Sequence, residues 1–157
     1  MPESRRDVRS PRITIFDYGA GNLHSLAKAV ASFGTEPVIE VDPVRAIDTD
    51  VLLLPGVGAF TPAAERLAPG LSDMRAALSG GLPCLGICLG MQLLFDSSDE
   101  GPGAGLGVIA GHVARIAAER LPQIGWNSAD EASDRLFDES GLHDVYYANS
   151  FICRPTD

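Results

Sequence analysis

The chain is poor in cysteine, with three in 157 residues. A small, odd number makes no disulfide framework, so a reducing compartment, the cytoplasm, is expected. Basic residues are scarce: 12 Lys and Arg against 21 acids leave a net charge of -9. Binding nucleic acid in general needs a basic face, so that class is excluded. There is no run of about 18 apolar residues, so no membrane-spanning helix is expected. Met1 to Ser10 is polar and charged with no apolar stretch, so it is not a secretory signal, and residues 1–11 are expected to be a disordered leader. Nucleotide motifs are missing too. Gly19-Ala20-Gly21 starts like a dinucleotide fingerprint, but His24 stands where the third glycine belongs, and no Walker sequence occurs. Cys84 and Cys88 have Cys-x3-Cys spacing without a nearby histidine, so no metal is expected, and no cofactor.

What remains is ordinary globular material, 45% hydrophobic and 21% charged. The length fits one domain, placed at 12–157. Ile13 to Tyr18, Pro37 to Val41, Val51 to Leu54 and Cys84 to Ile87 read as strands. Asn22 is placed to cap a helix whose apolar face is Leu23, Leu26, Ala27, Val30 and Phe33, with Gly34 ending it. Leu71 to Leu78 reads as a second helix and Leu89 to Phe95 as the start of a third. Strands alternating with helices predict an α/β fold, an open and mainly parallel sheet with helices on both faces. After Phe95 the pattern changes. Asp96 to Gly107 reads as a loop, and Val108 to Ile116 and Leu121 to Trp126 as strands that pair antiparallel. Leu136 to Ser140 reads as a turn or short helix and Val145 to Cys153 as one strand.

The richest stretch is Pro83 to Gln92. A buried strand runs into Gly86-Ile87-Cys88-Leu89-Gly90, and a helix follows. Such a turn lifts the Cys88 side chain out of the sheet and sets it at a helix N-terminus, where thiolate is favoured over thiol. Cys88 is therefore read as a nucleophile, and a buried structural thiol is the alternative. Ligands of open α/β sheets bind at the carboxyl ends of the strands. Gly19 to Asn22, Pro55 to Phe60 and the Cys88 elbow should all lie there. Gly56 and Gly58 free backbone N–H groups in the second turn to face an oxyanion, with the Leu89 N–H as another donor. A thiol nucleophile also needs a base. His24, His112 and His143 lie in a helix, a strand and a turn, and none carries a motif that marks it as one. Cys153 is expected in the core.

These residues resemble the class I (triad) glutamine amidotransferases, whose elbow is similar to Gly86, Cys88, Gly90 and Gln92. Within that group they resemble the glutaminase subunits of imidazole glycerol phosphate synthase, of histidine biosynthesis. Asp17 to Leu23, Leu54 to Phe60 and Pro122 to Asn127 carry this narrower likeness, which runs from about Ile13 onward. The resemblance implies the flavodoxin-like fold of those glutaminases and hydrolysis of glutamine through a Cys88 thioester. It places Gly58 and Leu89 in the oxyanion hole. Gly56, Gln92, Glu100, Asn149, Ser150 and Phe151 would bind glutamine. The ammonia would pass to a cyclase subunit with a (β/α)8 barrel, faced by Asn22, Pro122, Gln123, Gly125, Trp126 and Asn127.

The family's catalytic His and Glu belong to a His-Pro-Glu motif near the C-terminus, and the sequence stops before it. The chain is accordingly expected to be C-terminally truncated, to lack the last strands, to expose strand edges and apolar surface, and to be inactive alone. A non-catalytic partner-binding or regulatory module is the alternative. A further one is a Cys enzyme helped by a local acid such as Asp17.

Overall fold

The computed structural model describes residues 10–19, 21–130 and 134–156. Residues 1–9 of the expected leader lie outside them, as does Ala20 of the first glycine turn. Ser10 and Pro11 are exposed and without regular structure.

The first half forms β1 (Ile13–Phe16), α1 (Leu23–Ala31), β2 (Val38–Glu40), α2 (Pro43–Ala46), β3 (Val51–Leu54), α3 (Phe60–Leu67), α4 (Leu71–Ser79), β4 (Cys84–Gly86) and α5 (Leu89–Gln92). The four strands make one parallel sheet in the order β2-β1-β3-β4, the start of a doubly wound α/β fold. Alternation along the strands divides the sheet's two faces. Phe16, Leu52 and Leu54 join Phe60, Ala63, Leu67, Met74 and Leu93 in the main core. Ile13, Leu53 and Leu85 turn to the other face, where they line an apolar groove with Leu26, Ala29 and Val30 of α1.

The second half adds β5 (Ser97–Ser98), β6 (Gly111–Arg115), β7 (Gln123–Ser128), α6 (Arg135–Ser140), β8 (Asp144–Asn149) and β9 (Phe151–Pro155). β6 pairs parallel with β5 and antiparallel with β9, and among the described residues β7 pairs antiparallel with β8 alone.

Several expectations need correction. The strands expected from Val108 to Ile116 and from Leu121 to Trp126 do not pair with each other: β6 takes β9, and β7 takes β8. The single strand expected from Val145 to Cys153 is two, because its first half bonds to β7 and its second to β6, with Ser150 at the corner. α2 and α3 were not expected. α1 stops at Ala31 and has no fully buried residue, and Phe33, expected on its apolar face, is 89% exposed. α5 is one turn rather than a run to Phe95. The carbonyls of Leu93, Leu94, Phe95 and Asp96 accept instead from backbone N–H groups of residues 105–109, which ends the helix.

Candidate active site

The carboxyl ends of β1, β3 and β4 lie side by side in a parallel sheet, so the turns that follow them share one end of it. The β4 turn holds Cys88 at φ 52° and ψ -105°, the only non-glycine with positive φ among the described residues. Such a backbone costs on the order of 1–3 kcal/mol and persists only where its surroundings enforce it. Three glycines supply the enforcement by crowding. A Cβ on Gly86 would stand 2.7 Å from the backbone nitrogen of Met91, and one on Gly90 would run into the Leu54 carbonyl. From the β3 turn, a Cβ on Gly56 would stand 2.5 Å from the Ile87 oxygen and 2.6 Å from the Leu89 nitrogen. The elbow is thus clamped by backbone on three sides, and the Cys88 side chain is left exposed.

Leu89 opens α5, so its N–H has no acceptor within the helix. Gly58, in the turn beside it, takes φ 134°, which a side chain would strain. Phe60, two residues on, begins α3. The N-cap of that helix is Ala59, which has no side-chain acceptor, and the Phe60 N–H donates instead to Glu100 Oε2 at 3.1 Å. The structure therefore brings Gly56, Gly58, Cys88, Leu89 and Glu100 into one neighbourhood.

Gln92 ends α5 and is 8% exposed, with its Oε1 unpartnered among the described residues. Asn149 ends β8; its Nδ2 donates to the Phe151 carbonyl at 3.0 Å and its Oδ1 is unpartnered among the described residues. Ser150 and Phe151 complete that corner. Two residues further, Cys153 is partly buried, and its pKa is raised first by burial and then by charge on Cys88. Cys84 in β4 is pushed up to about 11 by burial, which makes it an inert thiol at neutral pH. Asn149 also lines a cavity of about 430 Å³ with Gln123, Asn127, Ser128 and Tyr147, which joins an expected glutamine contact to two expected partner contacts. Asn22 lies elsewhere, beside Pro55, Gly56, Val57 and Ile87 around a cavity of about 260 Å³. Its side chain caps α1 by accepting from Ser25 N at 3.1 Å.

Pro122 leads into β7, and Gln123, Trp126 and Asn127 on that strand are exposed, Gly125 partly so. Trp126 is 73% exposed and packs edge-on against Tyr146, its cross-strand neighbour, with ring centroids 5.5 Å apart.

Tyr18 was not anticipated as a site residue, although it lies in the Asp17 to Leu23 stretch. It is 3% exposed, its hydroxyl is unpartnered among the described residues, and its pKa is raised by burial and then by charge on Cys88. The Asp17 carboxylate accepts the Gly19 N–H at 2.7 Å and so serves its own turn. His24 is exposed on α1, and His143 immediately precedes β8. His112 bonds Ser97 and Asp99. No cluster of three metal-ligating side chains is found among the described residues, and no described helix is long and apolar enough to cross a membrane.

Comparison with known proteins shows the family. The family model for class-I glutamine amidotransferases matches residues 14–155. The chain is 44% identical over 123 residues to the imidazole glycerol phosphate synthase subunit HisH of Synechococcus elongatus, covering 75% of this chain and 57% of that protein. It is 41% identical over 149 residues to the HisH subunit of Methanopyrus kandleri, covering 93% of this chain and 74% of that one. The chain thus spans just over half the length of the Synechococcus relative. A crystal structure of a glutamine amidotransferase superposes with a TM-score of 0.69 over 92% of this chain and 75% of the other, at 18% identity, a likeness of fold. The elbow, the turn clamped against it and these matches have one reading: the chain belongs to the class-I glutamine amidotransferase family, among relatives that are HisH subunits of imidazole glycerol phosphate synthase.

Proposed function

We propose that this chain is the glutaminase part of an imidazole glycerol phosphate synthase, with Cys88 as its nucleophile. Cys88 Sγ attacks the side-chain amide carbon of glutamine. The carbonyl oxygen becomes an oxyanion facing the Leu89 N–H and the Gly58 turn. Collapse expels ammonia and leaves a thioester on Cys88, which water hydrolyses to glutamate. Gly56, Gln92, Glu100 and the Asn149-Ser150-Phe151 corner hold the substrate. Ammonia passes to a barrel-shaped cyclase subunit that docks on Asn22 and on the strand from Pro122 to Asn127.

The observation that carries the proposal is the Cys88 elbow itself: an exposed thiol at positive φ, clamped by Gly86, Gly90 and Gly56, beside a helix-opening N–H that has no acceptor in its own helix. A burial-driven thiol would need none of these. The experiment is labelling with a chloroketone analogue of glutamine, read by peptide mass spectrometry. Cys88 should be alkylated, and glutamine should protect it. Labelling that ignores glutamine, or that falls on Cys84 or Cys153, would overturn the assignment.

The 157 residues contain no His-Pro-Glu sequence, and His112 is engaged by Ser97 and Asp99. Both half-reactions move protons, so turnover needs a general base beside Cys88. The engagement of His112 by Ser97 and Asp99 favours a second reading, a module that binds the cyclase without hydrolysing glutamine. Cyclase binding without any glutamine-protected labelling of Cys88 would select it.

A further inference from the structure

We propose that Asp99 and His112 are positioning residues for the oxyanion turn, acting by holding the 97–103 loop so that Glu100 caps the N–H of Phe60. The inference rests on the oxyanion role proposed for the Gly58 turn.

The turn from Pro55 to Ala59 needs support at both ends. At the strand end, Leu54 is paired into the sheet and its carbonyl accepts from Ile87 N at 2.9 Å. At the helix end there is no local cap, because Ala59 offers no acceptor. Among the described residues the cap is Glu100, 40 residues away in sequence. Gly58 between the two ends has no side chain to restrict it, so the Glu100 contact decides where its N–H points.

Glu100 belongs to a loop with almost no strand of its own, and it is held from two sides. On the β6 side, Asp99 N donates to the Val113 carbonyl at 2.8 Å, and the Asp99 carboxylate accepts from Arg115 N at 2.9 Å and meets His112 Nε2 at 2.7 Å. Ser97 Oγ meets His112 Nδ1 at 2.8 Å. A neutral ring with its proton on Nε2 satisfies both bonds, donating to Asp99 and accepting from Ser97. On the α3 side, Thr61 Oγ1 donates to the Pro102 carbonyl at 2.6 Å. Ser98 Oγ accepts the Glu100 N–H at 3.1 Å and sets that residue's direction.

A Ser–His–Asp chain invites a hydrolytic reading, but the ring is turned the wrong way. In a catalytic triad Nε2 faces the serine and Nδ1 the carboxylate, and here the order is reversed. Ser97 is also paired in register with His112 as a strand residue, so the bonds serve the β5–β6 junction.

The test is residue-resolved amide exchange and amide chemical shift on the intact 157-residue chain, without glutamine. His112→Ala and Asp99→Ala should speed exchange at Phe60 at least about tenfold, the loss of one hydrogen bond to a charged group. Both should shift the Gly58 amide resonance and leave Ile15 and Leu53 unchanged. Asp99→Asn keeps an acceptor for Arg115 N and should fall between. Glu100→Gln should hold Phe60 near the wild-type rate, whereas Glu100→Ala should not. Unchanged Phe60 exchange in folded His112→Ala and Asp99→Ala, or an unmoved Gly58 resonance, would overturn the proposal. If a variant loosens the whole sheet, the Phe60 and Gly58 shifts of its folded fraction decide in the same way. No catalytic step enters the measurement, so failure of the glutaminase reading would show separately, in the chloroketone labelling.

Discussion

Gly56 stands so close to Leu89 that a methyl group on it would lie 2.6 Å from the Leu89 nitrogen and 2.7 Å from the Leu89 Cβ. Both neighbours are fixed, one being backbone and the other a buried residue of a helix. Gly56→Ala is therefore expected to destabilise the fold by about 1–3 kcal/mol, the range of overpacking in a well-packed interior. It should also abolish glutamine protection of Cys88. Urea denaturation with the labelling assay tests both.

Strain at Cys88 gives a second expectation. Removing the thiol by Cys88→Ala leaves a Cβ at φ 52°, whereas Cys88→Gly removes it. The glycine variant should be the more stable of the two by about 1 kcal/mol, even though glycine usually costs stability. Equal urea midpoints would show that the elbow backbone relaxes.

Alkaline pH should weaken the fold. Cys84 is raised from 9.0 to about 11, and its cause is burial of the neutral thiol. Its contribution is present in full below pH 9 and is lost as pH rises toward 11, because the unfolded chain releases the proton first. Tyr18 acts in the same direction. Stability measured at pH 8, 9.5 and 10.5 should fall, and Cys84→Ala should flatten part of the decline.

The Trp126–Tyr146 pair separates folding from docking. Trp126→Ala should cost roughly 0.5–1.5 kcal/mol of stability, the worth of an aromatic pair. On binding to a cyclase subunit it should cost about 2 kcal/mol or more, as expected of an exposed aromatic anchor. Titration calorimetry beside a thermal melt measures the two. A loss in stability without a loss in affinity would move the docking face elsewhere.

At α1, Asn22→Ala removes the acceptor for Ser25 N and should cost about 1 kcal/mol, while Asn22→Asp should keep most of it. Helicity by circular dichroism and a urea midpoint give the comparison.

The parallel sheet and the elbow were legible because each of β1, β3 and β4 is a short apolar run followed at once by a glycine turn. Glycine crowding around Cys88 was only half legible: glycines were visible, but what they touch was not. α3 was missed for a physical reason. It has Pro62 in its first turn and Ala59 at its cap, and its capping acceptor, Glu100, lies in another part of the chain. α2 carried a local signal, Asp42 followed by Pro43, but is only four residues long. The break at Ser150 was hidden because one β-rich run serves two different sheets, and strand partners cannot be read from a run's composition. Asp99 and His112 had no motif, since their role lies in a hydrogen-bond path to Phe60.

The three-sided clamp at Cys88 also fixes where this family member can vary. Gly56, Gly86 and Gly90 face backbone atoms at distances no side chain tolerates, so the floor of the site has no room for adjustment by substitution. Val57, Ile87 and Met91 beside them are 62%, 38% and 42% exposed. A library aimed at altered substrate choice belongs at these three rim positions. The same library at the glycines would return mostly destabilised chains.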